Sequence, residues 1–502
     1  MDRHDLRIDA RRLVLFAVAI GFLGDIVLDG SAAGINVPLM TVAVLAAAWL
    51  VRRPNRAPDP LDAWLPVAAI VLAGFVAIRA DPFLAALDLA GVAAFTGGSV
   101  AAFSGLAVTR RSLSTILVIG AWVVESTLAG TARLLILARP APRDTPRAWP
   151  GWLGSVVRGL ALAVPLVFIF AVLFASADPI FRRGFEEVVG LRIDLGTLPG
   201  RLVVIASIAW IVGGLLAVAA RGVPAVEAAS LGAAAPSTTL GHWRSLGTTE
   251  ALIVLGAVDA VVGLFVVLQV AYLFGGLDTL EAAGMTYSEY ARRGYFELVA
   301  AAGLAGGLLV FLEYQVMARH LVYVAAAVAL VVLTLVVLAS AVVRLQLYQD
   351  AYGWTELRLY VAVSIVAMAA TLATLAAFLA TDRTRWLGHV MAVIGLVALT
   401  ALNLMAPAAF VAERNLQRII DPSLVPADGE AELDADYLGV LPDDAVPVLA
   451  SALPRLTGAD ALRVRNVLRL RERVLAEEAY RTPFAWNLGR DRAREALRTV
   501  GD

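Results

Sequence analysis

Long apolar runs limit what this chain can fold into more than any other feature of its sequence. The hydrocarbon core of a bilayer is about 30 Å thick, and a helix needs about 20 residues to cross it. Backbone polar groups find no water there, so apolar runs of this length favour helices, whose backbone bonds are internal. We therefore predict about twelve spans, at residues 13–30, 36–52, 63–79, 83–107, 113–137, 155–176, 199–220, 250–274, 296–314, 321–343, 359–380 and 387–411.

Composition supports the same class of protein. The chain is 60% hydrophobic and 17% charged, whereas soluble domains are about 45–50% apolar and about 25% charged. We predict an all-α membrane protein: a polytopic helix bundle in a lipid bilayer, with interfacial helices and a small C-terminal helical region outside the membrane. A net charge of −1 argues against nucleic acid as a partner. Cysteine is absent and the four histidines lack metal-ligand spacing, so we predict no metal site and no cofactor.

The spacing of the runs divides the chain into three regions. Residues 1–150 hold about five predicted spans and residues 151–411 about seven. Residues 412–502, which we call the tail, form the extramembrane region. A cleaved signal peptide is the alternative for the first run, but Asp25 and Asp29 in or beside it favour a span. The predicted interfacial loops are 177–198, 275–295 and 344–358.

Arginines in short loops indicate orientation. They cluster before the first span, after the second and after the fourth, whereas the opposite loops of this region offer only Arg79. We expect the N-terminus on the cytoplasmic side of a bacterial inner membrane, and the tail there as well. Beyond residue 138 the arginine pattern no longer favours one side. The three interfacial loops and the tail are separated by two spans each, so they are expected on one face.

Two polar stretches have predictable local structure. Thr286 and Glu289 have the spacing of a capping box, which predicts a helix from about Tyr287. In the second stretch, Gly353 can end a helix and Thr355 can begin the next one.

Several motifs resemble one known family in sequence and order. The resemblance covers about residues 155–500 and is to the bacterial membrane family called domain of unknown function 4173. It implies an integral membrane protein with a C-terminal extramembrane tail, and no established activity. At Ala406-Pro-Ala408 the chain departs from the family, whose members have Asn-Pro-Asp there. The matching motifs are Ser176–Phe181, Gln269–Gly276, Thr286–Leu298, Arg344–Tyr360, Glu413–Arg418, Asp436–Leu438, Asp444–Pro447 and Trp486–Leu488.

Asp259 is the strongest single site candidate in the sequence. A carboxylate in mid-span costs roughly 2.5–3.5 kcal/mol on insertion scales, so it suggests proton or cation binding. A structural hydrogen bond to a neighbouring helix is the alternative. Gly256 and Gly263 flank Asp259 and would permit close helix approach. Gln269 could extend either role, and other ionisable residues in the apolar runs include Asp25, Asp88, Glu125 and Arg133.

A second set of candidates falls in the interfacial loops. They form either a lid tied by ion pairs or a membrane-surface pocket in which arginines hold an anionic headgroup or metabolite. The binding candidates in this set are Asp178, Glu289, Arg292, Arg293, Arg344 and Arg358.

Three functions remain open from the sequence. The first is a non-enzymatic, transporter-like or regulatory membrane scaffold with an unspecified substrate, because no catalytic motif occurs. The second is an interfacial lipid-modifying enzyme that uses Asp178 or Glu289 as a base. The third is a membrane sensor whose tail docks a protein partner.

Overall fold

The computed structural model describes residues 3–28, 31–53, 57–138, 198–221, 247–274, 295–316, 320–426, 434–477, 480 and 482–501. Within these ranges the chain consists of helices and turns without strands. The long helices are α1 (Arg3–Leu28), α2 (Asn36–Val51), α3 (Trp64–Ile78), α4 (Pro82–Phe103), α5 (Leu113–Ala138), α6 (Leu198–Arg221), α7 (Thr248–Phe274), α8 (Tyr295–Gln315), α9 (Leu321–Tyr352), α10 (Glu356–Thr381) and α11 (Leu387–Met405). The shorter ones are α12 (Pro407–Ile420), α13 (Ala435–Val440), α14 (Val446–Ala452), α15 (Gly458–Leu475) and α16 (Leu488–Gly501).

The prediction of a helical membrane protein is confirmed, but the number of spans is not. Eight helices in the described part are long and apolar enough to cross a membrane. The remaining predicted spans at 13–30, 36–52 and 296–314 coincide with α1, α2 and α8, which fall outside this set. Of these, α2 has only 16 residues. The predicted span at 155–176 and the predicted capping box at 286–289 lie outside the described residues.

The long helices form two apolar cores. One core is built from α1 to α6, and the other from α7 to α10 with the first residue of α11. Small residues let the helices of the first core approach closely. A Cβ added to Gly214 of α6 would lie 2.0 Å from the backbone oxygen of Thr127 in α5. The predicted break between α9 and α10 is confirmed, because Gly353 has φ 81° and the Thr355 side chain accepts a hydrogen bond from the Arg358 N–H.

Two expected boundaries are corrected by the structure. Residues 344–352 do not form a separate interfacial helix, because α9 is continuous over 32 residues. At 1.5 Å per residue it is about 48 Å long, so its last turns extend beyond a hydrocarbon core of about 30 Å. The predicted span 387–411 is interrupted at Ala406, which has φ 51°. Pro407 causes this break, since its ring disfavours helical geometry at the preceding residue and it has no N–H to donate.

The tail folds back onto one end of the bundle, which we call the tail end. It has its own apolar core, formed by α12 to α16. The turn after α1 touches it, because the Ser31 and Thr482 hydroxyls are 2.7 Å apart. Since α1 is a 26-residue helix, its first residue lies about 39 Å away, at the opposite or far end. The expectation that the N-terminus and the tail both face the cytoplasm stays a prediction.

Candidate functional site

Side chains of the tail bind backbone groups at the ends of the long helices. The buried Asn487 amide donates to the carbonyls of Val76 and Arg79 at 2.9 and 2.7 Å, which satisfies carbonyls at the end of α3. Arg490 donates to the Ala33 carbonyl at 2.5 Å, in the turn before α2. These contacts fix the last part of the tail against the first apolar core.

A second group of contacts joins the tail to the turn between α9 and α10. Arg418 donates to the carbonyls of Gln349, Asp350 and Ala351, at the end of α9. Burial lowers the pKa of Arg418, and its contacts are with the partial negative charge of a helix C-terminus. The Tyr437 hydroxyl accepts from the Glu356 N–H at 2.8 Å, and burial raises the pKa of Tyr437 to about 12.

Asp444 links the tail to the start of α4. Its carboxylate accepts from the Ala80 N–H at 2.7 Å and lies 3.8 Å from the Arg79 guanidinium. Burial raises the pKa of Asp444 to about 6, with the Ala80 bond and Arg79 opposing this and Asp81 and Asp443 adding to it. Gly489 permits the close approach, since a Cβ there would lie 2.4 Å from an Asp444 oxygen.

Asp81 is the N-cap of α4 and also part of the junction with the second core. Its Oδ1 accepts from the N–H groups of Phe83 and Leu84 at 2.9 and 3.0 Å. Its Oδ2 accepts from the Tyr360 hydroxyl of α10 at 2.5 Å. Glu356 faces the charges of both Asp81 and Asp444. Several acidic groups from separate elements therefore meet where the tail covers the bundle.

A cavity of about 260 Å³ lies at this junction, and we call it the tail-side cavity. Its walls come from the turns before α2 and α4, from the start of α4 and from the tail. Charged side chains of both signs line it: Arg79, Asp81, Asp443, Arg471 and Arg490.

A fully buried carboxyl–amide pair lies deeper in the bundle, between α4 and α11. Asp88 and Asn403 are both 0% exposed. The Asn403 Nδ2 donates to Asp88 Oδ1 and to the Leu399 carbonyl, each at 2.9 Å. Arg79 joins the pair to the tail-side cavity, because its Nε donates to the Asn403 carbonyl at 2.5 Å. Asp88 Oδ2 and Asn403 Oδ1 are buried without a hydrogen-bond partner among the described residues.

A second cavity of about 330 Å³, the far-side cavity, lies between α3, α4, α5 and α11. Its lining is apolar apart from a few groups, among them Thr109 and His389. The His389 ring packs edge-on against Trp64, with centroids 5.3 Å apart. The tail-side cavity reaches Ala85 on α4 and the far-side cavity reaches Ala94, about 13 Å further along that helix. Asp88 lies between these two residues.

The residues singled out from the sequence are not gathered at this site. Asp259 is half-buried in α7, and its Oδ1 is buried without a hydrogen-bond partner in the described ranges. No described atom comes within 4 Å of a Cβ built on Gly256, so the close helix approach expected there is not seen. Gln269 donates to the Ser340 hydroxyl of α9 at 3.2 Å.

The interfacial candidates are only partly described. Arg358 donates to the Gly353 carbonyl at 2.5 Å and lies 3.9 Å from the centre of the Tyr348 ring, so it fixes the α9–α10 turn. Arg344 is half-buried in α9. The other four candidates, Asp178, Glu289, Arg292 and Arg293, lie outside the described residues.

Sequence reasoning noted Asp88 only as one ionisable residue among several and missed Asn403, Asp81, Asp444 and Arg490. One available signal was Asn403, an amide near the end of an apolar run of 19 residues. The pairing itself joins positions 315 residues apart, and no local pattern predicts it.

Comparison with known families gives one match. The model described as "Domain of unknown function (DUF4153)" matches residues 67–452. This range is more than half of the chain, so the chain belongs to that family. The resemblance to domain of unknown function 4173 is not confirmed, because the matching family is a different one. No curated protein and no solved structure matches the chain.

Proposed function

We propose that this member of the DUF4153 family is a transporter-like membrane protein, and that the Asp88–Asn403 pair is its proton-binding site. One observation carries the proposal: a fully buried carboxyl group lies on α4 between residues that line two separate cavities. Ionisable groups inside spans are costly, and they mark substrate, ion or proton pathways in membrane proteins.

The geometry of the pair favours a proton on Asp88. The Asn403 amide is oriented by its two donated bonds, so its Oδ1 is an acceptor that needs a donor. With Asp88 ionised, Asp88 Oδ2 is also only an acceptor, and both atoms stay unsatisfied. A proton on Oδ2 turns that oxygen into a hydrogen-bond donor. An unpaired buried carboxylate is far more costly than a neutral, hydrogen-bonded acid.

Polar groups extend from this pair towards the tail end. Arg79 contacts the Asn403 carbonyl and lines the tail-side cavity. Asp81 lines the same cavity and binds the Tyr360 hydroxyl. A proton released from Asp88 would therefore meet carboxylates and an arginine on the tail side, and His389 in the far-side cavity.

Reconstituted protein tests this function. Liposomes containing the full chain and a pH-sensitive dye are exposed to a pH gradient and a mixture of amino acids, phosphorylated amines and dicarboxylates. We expect solute-dependent proton movement, reduced at least tenfold in Asp88→Asn and retained in the matched variant Asp259→Asn. Absence of movement with every solute, or equal movement in Asp88→Asn, would contradict the proposal.

We also propose that the far end faces the cytoplasm of a bacterial cell and that the tail faces away from it. The α5 and α6 helices pack antiparallel, so the last residue of α5, Ala138, and the first residue of α6, Leu198, lie at the same end of the bundle. The described short turns at the tail end contain one arginine, Arg79. Cytoplasmic loops are enriched in arginine. The described short turns at the far end contain several arginines: Arg52, Arg53, Arg110, Arg111, Arg383 and Arg385.

Sidedness can be measured because the chain has no cysteine. Ser423→Cys introduces a thiol in the exposed tail, and Thr381→Cys introduces one at the exposed far end. A membrane-impermeant maleimide applied to spheroplasts should label only the first. Labelling of only the second would reverse the proposed orientation.

A second candidate function is a membrane sensor whose tail docks a protein partner. Its support is that α15 buries Val464, Leu468 and Leu475 in the tail core and leaves an arginine-rich face exposed. The double variant Arg465→Glu and Arg469→Glu should then reproduce the phenotype of a full deletion in cells while proton movement in liposomes persists. An unchanged phenotype would remove this candidate.

A further inference from the structure

Two buried groups of opposite charge in the tail-side cavity have unused hydrogen-bonding capacity. Arg490 is 6% exposed and Asp443 is 9% exposed, and both line the cavity. Arg490 Nε and Asp443 Oδ1 have no hydrogen-bond partner among the described residues. Buried polar groups of native proteins are rarely left unsatisfied, so each of these atoms calls for a partner.

The surrounding contacts hold these groups in place without satisfying them. The Arg490 Nη2 donates to the carbonyls of Ala33 and Ala485, which fixes the plane of the guanidinium. The Arg471 Nη2 donates to Gly439 and Leu441, and its Nη1 is 3.7 Å from Asp443 Oδ1. That distance is an ion-pair contact and is too long for a hydrogen bond. Burial raises the pKa of Asp443, and the charges of Arg471, Arg490 and Arg494 oppose this. Burial lowers the pKa of Arg490, and the charge of Asp443 opposes this.

We propose that the tail-side cavity binds a small amphoteric molecule, whose oxyanion contacts Arg490 and Arg471 and whose primary ammonium contacts Asp443. A guanidinium suits a carboxylate or phosphate group because its donors form a planar fork. An ammonium supplies the N–H donors that the Asp443 oxygen lacks. A cavity of about 260 Å³ admits only a small molecule or the headgroup of a larger one.

The binding of such a molecule does not depend on the proposed function, but its role as transported solute rests on it. The cavity is adjacent to Arg79, which contacts the Asn403 carbonyl beside Asp88. A bound ammonium and oxyanion would therefore be next to the polar groups that lead to the proton site. The same chemistry occurs in a free phosphorylated amine and in the headgroup of phosphatidylethanolamine.

Calorimetry with phosphoethanolamine on the purified full chain in detergent tests the proposal. We expect saturable binding to wild type, weakened at least tenfold in Asp443→Asn and in Arg471→Gln. The matched variants Asp436→Asn and Arg469→Gln change exposed residues of the tail and should bind as wild type does. Phosphocholine, which has no N–H donor, and inorganic phosphate should each bind at least tenfold more weakly.

A further variant guards against loss of folding. Val440 lines the cavity and is 71% exposed, so Val440→Trp should narrow the entrance without disturbing a buried contact. It should weaken phosphoethanolamine binding while the thermal unfolding midpoint stays near that of wild type. Equal binding of phosphocholine and phosphoethanolamine, or binding unchanged in Asp443→Asn and Val440→Trp, would overturn the proposal.

Nanodiscs distinguish the two sources of the ligand. If the natural ligand is a lipid headgroup, phosphatidylethanolamine in the nanodisc should occupy the cavity. Binding of added phosphoethanolamine should then be lost in nanodiscs of phosphatidylethanolamine and retained in nanodiscs of phosphatidylcholine. Binding retained in both would support a free molecule. Asp88→Asn should still bind phosphoethanolamine although it loses proton movement. That result would show that the proton-binding site and the site for the small molecule are separate.

Discussion

Two carboxyl groups lie within apolar helices, Asp88 in α4 and Asp259 in α7, and their surroundings differ. Asp88 is 0% exposed, receives a hydrogen bond from Asn403 of another helix, and lies between two cavities. Asp259 is half-buried, and its neighbour Val261 is 70% exposed. The comparison teaches that a carboxylate within an apolar helix can have a buried polar partner on another helix, as Asp88 does, or can have a buried oxygen without a hydrogen-bond partner among the described residues, as Asp259 does.

The largest expected difference is in the stability of two variants, in which Asp88 or Asp259 is replaced by leucine. Asp88→Leu should destabilise the fold by about 3 kcal/mol, because it leaves a buried Asn403 donor unsatisfied and crowds the contact. Asp259→Leu should be neutral or stabilising, since a carboxylate in mid-span costs roughly 2.5–3.5 kcal/mol on insertion scales. Thermal unfolding in detergent measures both, and a shift in the same direction for both variants would break the comparison.

The pH dependence of tail docking is the next largest effect. The pKa of Asp444 is raised from 3.8 to about 6. At a pH between these two values, the Asp444 carboxyl group is protonated when the tail is docked and ionised when it is not. Stability should therefore fall as the pH rises from about 4 to about 6, by at most about 3 kcal/mol. Hydrogen exchange in α16 reports this change.

Asp444→Asn should reduce that pH dependence to the part contributed by Asp443, because the amide oxygen still accepts from the Ala80 N–H but no longer titrates. The exposed Asp436→Asn is the matched control and should keep it. Exchange in α7 should stay constant in all three proteins, since the buried residues of α7 pack in the second core and not in the core of the tail. A pH response of unchanged size in Asp444→Asn would assign the effect to another group.

A smaller effect is expected from Asn487→Ala. This change removes two hydrogen bonds to carbonyls at the end of α3, from a residue that is 1% exposed. It should cost about 2 kcal/mol of tail docking and speed hydrogen exchange in α16. Asn466→Ala, at an exposed position of α15, should do neither.

The smallest effect on stability is predicted for Asp88→Asn. An asparagine side chain can donate to Asn403 Oδ1 as a protonated acid would, so the cost should be below about 1 kcal/mol. Proton movement in liposomes should nevertheless be lost. A large loss of stability would indicate that Asp88 is ionised in the native state, and would contradict the proposed pair.

The helices could be predicted from the sequence because their cause is local. Apolar runs predict spans, and Gly353 and Thr355 predict the break between α9 and α10, since caps act within a few residues. Pro407 was also a usable signal for the break before α12. The continuation of α9 beyond residue 343 was not predicted. Where a helix leaves the membrane its residues become polar, and a polar stretch has the composition of a loop.

The candidate site could not be predicted for a different physical reason. Asn487 and Arg418 bind backbone carbonyls of distant helices, and backbone groups are the same at every position of a sequence. Asp88 depends on Asn403, which is brought to it only by the packing of α4 and α11. Sequence alone listed Asp88 among several ionisable residues of the apolar runs and ranked Asp259 above it.

Infrared spectroscopy tests the protonated Asp88–Asn403 pair most directly. A protonated carboxyl group has a carbonyl band that is separate from those of carboxylates and amides. In the purified full chain at neutral pH, we expect such a band with a component that is lost in Asp88→Asn and retained in Asp259→Asn. A spectrum without the band, or a band that Asp88→Asn leaves unchanged, would contradict the account.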